Sequence, residues 1–181
     1  EIGDLESLQE LYVQGNYLRC LPSSMGRLSR MNELSVADNQ IEELFKDWSS
    51  LVSLGLVYMY GNRLRALPPS MALMPSLRSL WVEGNPLQPG RLLEVLPRLQ
   101  HVRVIGVDET SMAKIPSITW RRGYPNVKVG QVGSNGGLAH GYFKLESFSN
   151  SPGQRADVLV IVFGSAPGVP NWGKLLDRIA E

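Results

Sequence analysis

Residues 54–68 read Leu54-Gly55-Leu56-Val57-Tyr58-Met59-Tyr60-Gly61-Asn62-Arg63-Leu64-Arg65-Ala66-Leu67-Pro68, and the placing of apolar residues around Asn62 decides the fold. Leu54, Val57 and Met59 stand eight, five and three positions before Asn62; Leu64 and Leu67 stand two and five after it. The same frame returns around Asn16, Asn39 and Asn85, each asparagine 23 residues from the next. Before them come Leu8, Leu11 and Val13, then Met31, Leu34 and Val36, then Leu77, Leu80 and Val82; after them come Leu18, Ile41 and Leu87, with Leu21 and Leu44 at the outer position. Only Gly90 breaks the frame there. A fixed period of this length marks a repeat architecture.

The alternation at Val57 and Met59 makes one side of a short strand apolar. Such a strand cannot bury that side alone. Stacked on its neighbours it joins a parallel sheet over a continuous core, so several repeats must cooperate.

Written as L-x-x-L-x-L-x-x-N-x-L-x-x-L-P-x-x-L-x-x-L, the frame resembles the leucine-rich repeat of the 23-residue intracellular kind, found in Ras-group and Ras-suppressor-like adaptor proteins. The likeness spans residues 1 to about 107. It implies an α/β solenoid with a parallel sheet on its concave face, four repeats and a closing strand. It also implies a cytoplasmic adaptor or scaffold whose partner is a protein, such as a small GTPase or another signalling protein. In that family the repeated asparagine, here Asn16, Asn39, Asn62 and Asn85, satisfies backbone groups inside the turn after the strand, which a buried turn requires.

The second repeat carries Phe45-Lys46-Asp47-Trp48 where a Leu-Pro turn is expected, and Trp48 is predicted to fill the convex place of Met25 and Met71. Leu92, Leu93, Val95, Leu96 and Leu99 have helical spacing, and Leu99, Val102 and Val104 repeat the strand pattern as a closing strand. Residues from about 105 to 125, with Pro116, Trp120 and Pro125, are candidates for a terminal cap. Glu1 to Ser7 read as the tail of a preceding repeat, and the array is expected to extend upstream.

Strand residues that alternate with the buried ones face the concave side. They are Glu10, Tyr12 and Gln14; Glu33, Ser35 and Ala37; Leu56, Tyr58 and Tyr60; Ser79, Trp81 and Glu83; and His101 and Arg103 of the closing strand. Aromatic residues on a rigid sheet are typical binding hot spots. Tyr12, Tyr58, Tyr60, Trp81, Glu83, His101 and Arg103 are therefore the candidate partner-binding row. Lateral packing of Tyr58 on Trp81 is the competing explanation.

Past Tyr124 the repeat pattern stops. Gly130 to Gly137 reads as a linker, which divides the chain into an array at 1–107, a cap and linker at 108–137 and an α/β segment at 138–181. In the last, Tyr142 to Phe148 alternates as a strand and Val158 to Phe163 is a continuous apolar run, the pattern of a strand buried on both faces. A loop and the stripe Trp172, Leu175, Leu176 and Ile179 follow. This order resembles the opening of an α/β-hydrolase, and the likeness implies a backbone oxyanion loop at Gly164, Ser165 and Ala166. No Gly-x-Ser-x-Gly elbow occurs, so no catalytic residue is assigned, and the hydrolase remains the alternative reading in which this chain is the non-catalytic arm. Gly168 to Lys174 approaches a phosphate-binding loop, but Leu175 replaces the magnesium-binding hydroxyl.

A net charge of +1 over 181 residues provides no field for nucleic acid, and the six-residue run Val158 to Phe163 is far short of a membrane span. Cys20 is the single cysteine and no Asn-x-Ser/Thr site exists, which favours a reducing compartment. Cys20, His101 and His140 have no metal-ligand spacing, so neither metal nor cofactor is expected.

Overall fold

Short alternating segments form five parallel strands along the array: β1 (Glu10–Tyr12), β2 (Glu33–Ser35), β3 (Leu56–Tyr58), β4 (Ser79–Trp81) and β5 (Val104–Asp108). The computed structural model describes residues 2–99, 101–108, 127–132 and 158–163. Leu11 lies opposite Leu34, Leu34 opposite Val57 and Val57 opposite Leu80, a step of one repeat each time. Met31, Leu54 and Leu77 stack along one line of the core, Leu34, Val57 and Leu80 along a second, and Val36, Met59 and Val82 along a third; all are buried. Burying each such side chain contributes roughly 1.5–3 kcal/mol. Ordering each residue costs about 1–2 kcal/mol of backbone entropy. A single repeat buries too little to offset that cost, which is why the units stand only as a stack.

The convex side is built from 3-10 turns at Ser23–Arg27 and Pro69–Leu73, each entered from an extended proline, Pro22 or Pro68. In the second repeat Trp48 takes that place. It is fully buried, as Met25 and Met71 are, stacks on Phe45 at 4.6 Å and donates its indole N–H to Phe45 O at 2.8 Å. The hydrogen bond solves the one problem a buried tryptophan raises, its polar N–H.

The closing strand differs from the sequence expectation. Ser79 pairs with Val104, so the step is 25 residues where Leu56 to Ser79 is 23. The buried side chains are Val102, Ile105 and Val107, and Val104 takes the concave side. The cause is the helix α1 (Pro89–Val95), which with a 3-10 turn at Leu96–Arg98 replaces the single convex turn of earlier repeats. An α-helix advances 1.5 Å per residue against about 2.0 Å in a 3-10 turn, so the same span consumes more chain. Leu92, Val95 and Leu96 are its buried stripe.

Two more strands extend the sheet, β6 (Val127–Val132) and β7 (Val158–Phe163), giving the order β1-β2-β3-β4-β5-β7-β6 with every pair parallel. β7 pairs with β5 over Val104–Asp108 on one edge and with β6 on the other, the central position its β-branched run suggested. Gly130, Gln131 and Val132 are strand where the sequence suggested a linker, because glycine there is paired on the ladder with Ile161. Of the expected cap, residues 105–108 belong to β5, with Ile105 and Val107 in the core; its remaining residues, the Tyr142–Phe148 strand and the Trp172 helix lie outside the described residues. Among the described residues no helix is long and apolar enough to cross a membrane.

Candidate functional site

The turn after each strand is held by its asparagine. Asn39 Nδ2 donates to Val36 O and Ala37 O in its own repeat and to Val13 O one repeat back, while its Oδ1 accepts from Leu18 N. Asn62 donates to Met59 O, Tyr60 O and Val36 O and accepts from Ile41 N; Asn85 donates to Val82 O, Glu83 O and Met59 O and accepts from Leu64 N. Asn16, at the exposed end of the ladder, donates to Val13 O and Gln14 O of its own turn. The residue before each asparagine has a left-handed backbone: Gly15, Asp38, Gly61 and Gly84 have φ of 67°, 52°, 63° and 68°. The sequence reading overlooked this position, although the recurring Gly-Asn pairs at 15–16, 61–62 and 84–85 announce it.

With the turns fixed, the strands present their outward side chains as rows. Tyr58 and Trp81 occupy paired positions on β3 and β4, and their rings stack with centroids 6.3 Å apart and planes 17° from parallel. Trp81 donates its indole N–H to Ser79 Oγ at 2.7 Å, which sets the ring's direction. Both rings are half-buried. Beyond Trp81 the row continues to Gly106 on β5, where a Cβ would lie 2.6 Å from Trp81 Cε3 and 2.6 Å from Glu83 Oε2. The bare glycine is thus the space into which the indole and the Glu83 carboxylate lean.

Tyr12 on β1 is 50% exposed and donates to Glu10 Oε2 at 3.3 Å. Loss of hydration, with the Glu33 and Glu10 carboxylates beside it, pushes its phenol up to about 12. Burial and then Glu33 raise Tyr58; burial and then Asp38 and Glu83 raise Tyr60. Glu33 thus acts on two of these phenols, and Asp38 and Glu83 act on the third. Glu33 and Asp38 belong to this site, and the sequence reading had not singled them out. Their signal was present: no Lys, Arg or His falls within β1 to β5.

Tyr12, Tyr58, Tyr60, Trp81 and Glu83 share the concave face, although Glu83 is only 4% exposed. His101 and Arg103 do not join them. His101 is in the turn before β5 and Arg103 immediately precedes the strand, donating its backbone N–H to Arg78 O. The displaced register puts Val104 and Gly106 in the positions expected for them. Gly164, Ser165 and Ala166 lie outside the described residues. Among the described residues no group of His, Cys, Asp and Glu is placed to hold a metal.

A stacked series of strand, asparagine-held turn and convex turn, closed over an apolar core, defines a leucine-rich-repeat solenoid. The solved structure of a leucine-rich-repeat protein from Leptospira interrogans is similar to it, with a TM-score of 0.51 and 27% identity over 56% of this chain and 26% of that one. The chain thus spans about a quarter of that protein's length. No protein-family model and no curated protein matches the chain.

Proposed function

We propose that this chain is an interaction module that binds a protein partner through its concave face, with Tyr12, Tyr58, Tyr60 and Trp81 as the contact row and the buried Glu83 behind it. The observation that carries the reading is that Tyr58 and Trp81, although stacked on one another as lateral packing requires, both remain partly exposed on a rigid parallel sheet. Large rings with few rotatable bonds lose little entropy on binding and bury much area, which makes them anchors. The row draws on β1, β3 and β4, a span suited to an extended partner segment more than to a small molecule. The role in which such binding serves is that of an adaptor or scaffold of the intracellular 23-residue kind. His101 and Arg103 are left out of the contact row, since they precede β5.

The test is the paired substitution Tyr58→Ala and Trp81→Ala in a protein whose far-ultraviolet dichroism and unfolding midpoint stay close to wild type. Partners captured by the wild-type chain are expected to be lost. Unchanged capture would remove the concave face from consideration.

A further inference from the structure

Charge divides unevenly over this molecule. The ion pairs Asp4–Arg27, Glu42–Arg63 and Glu94–Arg91 all lie off the concave strands. Glu33 shares the concave side of β2 with Ser35, which pairs with Tyr58 on β3, and in the turns beyond them Asp38 donates its backbone N–H to Tyr60 O at 2.9 Å; no basic residue falls inside the strands β1 to β5. Arg78, which immediately precedes β4, is tied by its Nη1 to Pro75 O and Leu77 O. A balanced chain of net charge +1 therefore carries a face that is negative and aromatic at once.

Those two properties together select a partner chemistry. A flat ring attracts a cation to its face, and a carboxylate beside it adds a charged hydrogen bond; the planar guanidinium uses both simultaneously, stacking on the ring and reaching the carboxylate edge-on. An ammonium gains the charge but lacks the flat contact. Anionic partners, nucleic acid included, are repelled by Glu33 and Asp38. Resting on the concave-face reading above, we infer that the partner segment is basic, with an arginine guanidinium laid on the Tyr58–Trp81 stack and paired with Glu33.

The test pans a displayed library of short random peptides on the intact chain, then titrates the recovered peptides calorimetrically against wild type, Glu33→Gln, and the Tyr58→Ala Trp81→Ala pair. Glu33→Gln is isosteric on a partly exposed strand position and leaves the fold intact. The expected result is enrichment of arginine, loss of affinity of about tenfold or more when that arginine is replaced by citrulline, and a loss of similar size in Glu33→Gln. Peptides without arginine excess that still fail on the Tyr58→Ala Trp81→Ala protein would overturn the inference and leave the concave face standing. Peptides indifferent to that pair, or no recovered peptides at all, would overturn both.

Discussion

The side-chain amide of Asn62 reaches back one full repeat to donate to Val36 O at 2.9 Å. The same amide serves Met59 O and Tyr60 O, and its Oδ1 accepts from Ile41 N at 3.0 Å, so one buried side chain joins two turns through four hydrogen bonds. Asn62→Ala leaves those backbone groups without that partner in a site where the side chain is 5% exposed. Each buried unmet group costs about 1–3 kcal/mol, so a loss of about 3 kcal/mol or more is expected. Asn16→Ala, at the exposed end of the ladder with bonds only inside its own turn, is expected to cost about 1 kcal/mol. Urea unfolding of the two variants compares them directly, and equal losses would contradict the ladder.

The position before the asparagine separates backbone strain from side-chain loss. Gly61 has φ of 63°, and a Cβ there would run into the Asp38 carboxylate, so Gly61→Ala is expected to destabilise by about 1–2 kcal/mol. Asp38 holds the same conformation at φ 52° with a side chain. Asp38→Gly relieves that strain and removes the carboxylate facing Gly61, and a gain of up to about 1 kcal/mol is expected. A fall in the unfolding midpoint of Asp38→Gly would show that the carboxylate holds the turn and does not strain it.

Two glycines in neighbouring segments respond oppositely to a methyl group. Gly90, in α1, has open space around its missing Cβ, and Gly90→Ala is expected to raise stability by about 0.5–1 kcal/mol through helix preference. Gly106 lies under Trp81 and Glu83, whose ring and carboxylate a methyl would strike at 2.6 Å. Gly106→Ala forces the indole off Ser79 and out of its stack with Tyr58, at a cost of about 1–3 kcal/mol. The near-ultraviolet dichroism of the tryptophans is expected to change in Gly106→Ala and to stay constant in Gly90→Ala.

The repeat frame was legible because each of its positions answers one physical demand. Leu34, Val57 and Leu80 must face the core, and Asn39, Asn62 and Asn85 must serve carbonyls inside a turn, so periodicity alone located both. Trp48 is legible on the convex side because it stands one 23-residue period from both Met25 and Met71, all three of them buried. The closing strand was missed because periodicity assumes equal convex spans, and α1 spends two extra residues that no apolar spacing reveals. His101 and Arg103 fell with it. Glycine content points Gly130 to Val132 toward a linker, whereas their pairing with Ile161 to Phe163 depends on a strand 31 residues further on that local sequence cannot show. In the concave row, residue types were readable; the field of Glu33 on two phenols of different strands needed the register.

That field sets a measurable pH response. Lost hydration first, and then Glu33 and Glu10, hold the Tyr12 phenol protonated up to about 12, against an ordinary value of 10.0. Above pH 10 the unfolded chain begins to lose this proton while the folded chain keeps it, so the unfolded state binds fewer protons and stability falls as pH rises. The contribution is complete below pH 10 and is lost as the pH passes through about 12. Ultraviolet titration of tyrosinate should show a phenol that ionises at about 12 and is lost in Tyr12→Phe. Glu33→Gln removes a carboxylate that raises both Tyr12 and Tyr58, and both are expected to ionise at lower pH. If Glu33→Gln moved neither phenol, Glu33 would not be the charge that links Tyr12 on β1 with Tyr58 on β3.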